Sequence, residues 1–138
     1  MYQKIMVPVD LRHADRMGKA LRTAADLAGL YGASVTYVGV TGPEPSELGH
    51  NPGEFAARLD SFAAAQAEIG GHSAESHMVI SQDPTVEMDK ALHDAVEATG
   101  SDLVVMATHL PNVTDYVWAS HGGTLALHAQ VSVMLVRG

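Results

Sequence analysis

Ile5-Met6-Val7-Pro8-Val9 is a short and almost wholly apolar run close to the N-terminus of the chain. Such a run is typical of a strand that is buried on both faces of a parallel sheet. Further strand-like runs occupy residues 34–40, 75–81, 102–107 and 131–137. Stretches with helical spacing of apolar residues separate them, at about residues 15–30, 54–69, 84–99 and 114–129. The alternation predicts parallel strands joined by right-handed crossovers, with helices on both faces of one sheet.

Turn and cap residues mark the ends of these elements. Gly32 and Gly100 follow the first and third predicted helices, where glycine is a common stop signal. Asp83 is a suitable N-cap for the third helix, with Pro84 in its first turn. Residues 41–53 are rich in glycine and proline, and we expect them to form a loop.

Composition limits the class of protein. The 138 residues suit one domain, residues 1–138, and no internal repeat or domain boundary interrupts them. The absence of cysteine excludes disulfides, thiolate chemistry and cysteine-based zinc sites. A net charge of −8 argues against general nucleic-acid binding. No apolar run approaches the roughly 18 residues of a membrane span, and no leader pattern precedes the first strand, so we expect a cytoplasmic protein without membrane insertion.

The predicted sheet has an edge at which a ligand could bind. In open parallel sheets, ligands occupy a crevice outside the carboxyl ends of the strands, where the strand order reverses. The segments that follow strands here are Pro8-Val9-Asp10, Val40-Thr41 and Met106-Ala107-Thr108-His109. If the first and fourth strands are neighbours, these three segments converge.

The chain resembles the universal stress protein family over essentially its whole length. Its first strand, residues 4–10, the segment Val38-Gly39-Val40 and the helix start Asp83-Pro84 are similar to those of the family. The C-terminal third resembles a subgroup with a short Ser/Thr-His-x-Pro loop, and it reads here Met106-Ala107-Thr108-His109-Leu110-Pro111-Asn112-Val113-Thr114-Asp115-Tyr116-Val117-Trp118-Ala119-Ser120, followed by Leu127-His128-Ala129 and the last strand.

The resemblance implies a Rossmann-like fold, similar to that of the adenine nucleotide alpha hydrolases, with an open five-stranded parallel sheet in the order 3-2-1-4-5. It implies an adenine-nucleotide-binding regulatory protein of the stress response, with ATP or AMP as the ligand. It also implies the residues on the adenosine side of the ligand, which are Pro8, Val9, Asp10, Val40 and Met106. On the phosphate side it implies Ala107, His109, Ala119, Ser120 and His121.

The phosphate side departs from the family pattern. Ala107, Asn112 and Ala119 stand where family members have glycine, and Leu110 stands where the subgroup has arginine. Glycine permits close backbone approach to a phosphate, and arginine supplies a bidentate contact. No lysine or arginine occurs between Lys90 and Arg137, although Arg12 could reach the site from the exit of the first strand. We therefore expect the nucleotide to be held weakly through its phosphates, or not at all.

Several of these residues have a structural alternative. Asp10 either contacts ribose hydroxyls or caps the turn that follows it, and Ser120 is either a phosphate ligand or a helix N-cap. His109 either orients a ligand or bonds to backbone. The eight histidines match no recognised metal-binding spacing, so no metal site is predicted. No Ser/His/Asp set or pair of carboxylates at strand ends indicates catalysis, so the protein is not expected to be an enzyme.

Two functions remain open at this point. The first is a regulator that binds an adenine nucleotide, and the second is a nucleotide-free interaction module that uses the same crevice or its dimer surface with an unidentified protein partner. In the implied strand order, residues 131–136 form an apolar sheet edge without lysine or proline. Such an edge invites pairing with another chain, and with the family resemblance it predicts a homodimer through the C-terminal strand.

Overall fold

The protein folds as a five-stranded parallel sheet in the order β3-β2-β1-β4-β5, as predicted. The computed structural model describes residues 1–46, 48–109 and 121–138, apart from the side chains of Thr85, His109 and His128. In chain order the elements are β1 (Lys4–Pro8), a 3-10 turn (Ala14–Arg16), α1 (Gly18–Tyr31), β2 (Ser34–Thr41), α2 (Pro52–Gly70), β3 (Ala74–Ile80), α3 (Pro84–Thr99), β4 (Leu103–His109), α4 (Gly122–His128) and β5 (Ser132–Arg137).

The helices begin and end at residues whose chemistry requires it. Asp83 caps α3, its side chain accepting a hydrogen bond from the Val86 amide with Pro84 in the first turn, as predicted. Asn51 caps α2 by accepting from the Glu54 amide at 2.9 Å, so that helix begins at Pro52 rather than at Glu54. Gly100 ends α3 with a φ of 65°, a left-handed conformation that glycine adopts without a steric penalty.

Two helical layers cover the sheet. On one face α1 contacts β1, β4 and β5, while α2 contacts β2 and β3; on the other face α3 and α4 contact each other. The central strands are therefore apolar on both sides, and Met6, Val104 and Met106 have no exposed surface. None of the described helices has the length and apolarity needed to cross a membrane.

Tyr37 shows how the second strand packs beneath α2. It is fully buried, its ring stands edge-on to Phe62 with centroids 5.4 Å apart, and its hydroxyl hydrogen-bonds His72 Nε2 at 3.0 Å. Burial disfavours the phenolate and raises the pKa of Tyr37 to about 12. The hydroxyl thus stays neutral and its hydrogen bond satisfies a polar group in the core.

The described part of the last helix covers the second half of the predicted range. The structure places α4 at Gly122–His128, whereas the apolar spacing predicted a helix over 114–129. Residues 114–120 of that prediction lie outside the described residues. The described helix begins after His121, where two successive glycines weaken the helical preference that apolar spacing alone implied. It ends at Ala129, which has extended backbone angles.

Candidate functional site

The predicted ligand crevice lies at the carboxyl end of β1, where the pairing between β1 and β4 ends early. Pairs between β1 and β2 run from Lys4–Ser34 to Pro8–Val38. Pairs between β1 and β4 comprise Ile5–Leu103 and Met6–Val104 and do not continue further. The two central strands therefore separate about two residues before β1 ends, at the position where the strand order reverses.

Pro8 explains why these strands separate. Successive residues of a strand direct their backbone polar groups alternately to its two neighbours. The Lys4 carbonyl accepts from the Asp102 amide, next to β4, at 3.0 Å, whereas the Val9 amide donates to Val38 of β2 at 2.8 Å. Pro8 therefore faces β4, where it has no N–H to donate. The missing donor ends the ladder on this side alone.

Two peptide groups lie level with the end of β1. Val40 lies two residues beyond Val38 and faces the same side of β2, past the last bond between β1 and β2. Met106 lies two residues beyond Val104, the partner of Met6, and is therefore level with Pro8, where the β1–β4 pairs have ended. Both peptide units offer a donor and an acceptor. The arrangement suits the polar edge of a planar ligand or its hydroxyl groups.

The side chains of these two residues play other roles. Met106 is fully buried, and its sulfur lies 3.6 Å from the position that a Cβ on Gly122 would take. Its side chain therefore packs beneath α4, and its contribution to the crevice comes from its backbone. Val40 is half-buried and pairs with Val79 of β3.

Asp10 supplies the charged group of the site. It is 4% exposed, and its carboxylate accepts hydrogen bonds from the Arg12 amide at 3.1 Å and from the Arg12 side chain through Nε and Nη2, each at 3.2 Å. The structure thus contains the turn cap that the sequence analysis offered as an alternative. Arg12, considered there as a cation for phosphate, binds Asp10, and this ion pair was not anticipated. In the sequence, the Asp10–Arg12 ion pair could have been predicted from the i,i+2 spacing of the two opposite charges.

The predicted phosphate residues are described in part. Ala107 is buried in β4, and the backbone of His109 ends that strand, but its side chain lies outside the description. Ala119 and Ser120 lie outside the described residues, as do Leu110 and Asn112. The described residues therefore include all those predicted for the adenosine side, which are Pro8, Val9, Asp10, Val40 and Met106.

His121 is directed away from the predicted role. Its ring Nδ1 lies 2.6 Å from Asp89 Oδ1 on α3, and its side chain is 23% exposed. The ring ties the start of α4 to α3, so that its backbone remains as the part able to meet a ligand. Sequence analysis missed Asp89, because nothing in the spacing of the two residues indicates their contact. Among the side chains that the structure describes, no group of three His, Asp or Glu residues is placed to hold a metal ion.

Residues 1–137 match the sequence model of the universal stress protein family. No curated protein sequence matches the chain significantly. Among solved structures, the universal stress protein from Archaeoglobus fulgidus in complex with dAMP has a TM-score of 0.67 and 21% identity, and the match covers 97% of each chain. A universal stress protein in complex with cAMP has a TM-score of 0.70 and 18% identity, over 98% of this chain and 97% of that one. A universal stress protein family protein from Arabidopsis thaliana with AMP bound has a TM-score of 0.62 and 14% identity, over 98% of this chain and 91% of that one.

Identities this low make the structural likeness evidence for the fold. The match over residues 1–137 concerns the sequence itself, and it agrees with the strand order and with the first-strand and second-strand motifs that frame the crevice. By this match the chain belongs to the universal stress protein family.

Proposed function

We propose that this protein is a regulator that binds an adenine nucleotide in the crevice at the end of β1. The observation that carries the proposal is the register that brings Val40 and Met106 level with the end of β1, the strand that the buried Asp10 follows. Peptide groups can recognise the edge of adenine, and a carboxylate accepts hydrogen bonds from ribose hydroxyls. The adenine nucleotides bound to the three solved proteins named above support this choice of ligand.

We further propose that the site does not favour a triphosphate over a monophosphate. The sequence between Lys90 and Arg137 contains no lysine or arginine, and Arg12 is engaged by Asp10. Each charge-assisted phosphate contact that is absent forgoes roughly 1.5–3 kcal/mol. ATP should therefore bind no more than about tenfold more tightly than AMP.

Ligand identity is tested by denaturing the purified protein and identifying the released small molecules by mass. An adenine nucleotide at close to one per chain supports the proposal. Calorimetric titration with AMP, ATP and adenosine then ranks the ligands, with GMP as the control for the base. Absence of any nucleotide, together with no heat on titration, would favour the nucleotide-free interaction module. ATP binding about a hundredfold more tightly than AMP would contradict the proposed weakness of the phosphate side.

We also propose a homodimer that pairs the β5 strands of two copies. β5 lies at the edge of the sheet, and its Met134 and Leu135 are 40% and 45% exposed. Antiparallel pairing about a two-fold axis would cover both edges. Light scattering should give twice the chain mass of 14.5 kDa, and Val133→Lys should reduce the fraction of dimer. A dimer that Val133→Lys leaves intact would place the interface elsewhere.

A further inference from the structure

The cations of this acidic protein are concentrated in one segment. Four of its eight lysines and arginines, namely Arg12, Arg16, Lys19 and Arg22, lie within residues 12–22, where Asp15 is the one carboxylate. That segment carries a formal charge of +3, and the remaining residues therefore carry −11 of the total of −8. At physiological salt, charges beyond a Debye length of about 8 Å are largely screened. Arg12 is bound by Asp10 and Arg16 lies beside Asp15, so Lys19 and Arg22 are the cations of this segment that a ligand would meet.

Two of these cations border a groove between α1 and α2. Lys19 and Arg22 are exposed on α1, and the groove they line has a volume of about 720 Å³. Its other lining residues include Ala25 and Ile69. Ile69 is 80% exposed and offers an aliphatic surface at the edge of the groove. We call this surface the α1–α2 groove.

We propose that the α1–α2 groove docks an acidic amphipathic segment of a partner protein. The carboxylates of such a segment would face Lys19 and Arg22, while an apolar side chain would cover Ile69. One carboxylate, Asp26, also lines the groove, so the charge favours an acidic segment along the Lys19 end. An amphipathic helix lying in a groove between two helices is an established mode of peptide recognition.

A protein segment fits this surface better than a nucleic acid does. Lys19 and Arg22 on α1 are only about 4.5 Å apart along the helical axis at 1.5 Å per residue, which is too short to follow a phosphate backbone. An exposed aliphatic anchor also contributes to the binding of a protein side chain, whereas phosphates gain nothing from it.

A synthetic peptide provides the test. The probe is a fluorescent peptide of about 16 residues in which leucines recur at helical spacing among glutamates, and its control is an isomer of the same composition with the leucines scattered. Fluorescence anisotropy should show that the amphipathic peptide binds the wild-type protein more tightly than its isomer. Lys19→Glu/Arg22→Glu should weaken binding by about tenfold or more. Lys4→Glu, an exposed cation on β1, is the matched control and should change affinity by less than about twofold.

Ile69→Ser separates the apolar contact from charge. This substitution should weaken binding of the amphipathic peptide by about fivefold and leave binding of the isomer unchanged. Lys19→Gln/Arg22→Gln gives a second, milder pair of substitutions, and circular dichroism checks that every variant is folded. Equal binding of the two peptides, no binding of either, or an equal effect of Lys4→Glu would overturn the proposal. Tighter binding of a single-stranded oligonucleotide than of the peptide would overturn it in favour of a nucleic-acid site.

Discussion

Replacement of Asp10 by asparagine tests whether this residue caps a turn, binds the ligand, or does both. Its side chain is 2% exposed and accepts three hydrogen bonds from Arg12, two of them from the guanidinium. Asparagine keeps the shape and one acceptor oxygen, but it removes the charge and turns an NH₂ group toward the guanidinium. The substitution therefore weakens the ion pair without opening a cavity.

The expected loss of stability follows from the burial of the two partners. Breaking a fully buried ion pair costs about 3–5 kcal/mol, because the remaining charge is left without a partner or water. The Arg12 side chain is 30% exposed, so its guanidinium can regain water once the carboxylate is gone. We therefore expect Asp10→Asn to lower the free energy of unfolding by about 2 kcal/mol, which is at the low end of the range for charged hydrogen bonds. Asp15→Asn, whose side chain is 80% exposed, is the control and should change it by less than about 0.5 kcal/mol.

Ligand affinity distinguishes the two roles of Asp10. If the carboxylate also accepts a ribose hydroxyl, Asp10→Asn should weaken AMP binding by about tenfold to a hundredfold. Urea denaturation monitored by circular dichroism gives the stability, and calorimetric titration under conditions where the variant is folded gives the affinity. An unchanged dissociation constant for AMP in a variant with the expected loss of stability would refute the ribose role and leave the cap alone.

Three further perturbations probe the surroundings of the crevice. Pro8→Ala restores an N–H that faces β4, so we expect a longer β1–β4 ladder and, by titration, AMP binding that is about tenfold weaker. Unchanged affinity for AMP would show that the crevice does not depend on the missing donor. Gly123→Ala places a Cβ in open space and should stabilise α4 by about 0.5–1 kcal/mol in thermal unfolding. Gly122→Ala places its Cβ 2.5 Å from a β5 leucine methyl and should instead destabilise, so equal effects of the two would contradict the packing described here. The Ser81 hydroxyl donates to Glu87 at 2.8 Å and is the main cause of the lowered pKa of that carboxyl. A carboxyl whose pKa is lower in the folded state stabilises the fold above its unfolded pKa and loses that contribution as the pH falls through the folded pKa. Ser81→Ala should therefore reduce the loss of stability at acid pH, which denaturation at several pH values measures.

The sequence predicted the elements whose signals are local. Alternating apolar runs and helical spacing identified five strands and four helices, and the Asp83-Pro84 pair identified the start of α3 correctly. The predicted start of α4 at residue 114 lies outside the described residues, so that prediction can be compared with the structure only over Gly122–His128. The contact between His121 and Asp89 joins residues 32 positions apart, and it depends on how α3 and α4 pack.

The ligand site shows the same division between local and non-local information. Pro8, Val40 and Met106 were assigned to it by resemblance, but the reason they belong together is the register of three strands. That register places Val40 and Met106 level with the end of β1, and a shift of one residue in either pairing would move one of them out of line. The fully buried core around Met6 and Val104 fixes that register. Since the residues that fix the register lie outside 107–120, we expect the proposed base-recognising side to be retained although the phosphate side lacks the family's glycines and arginine.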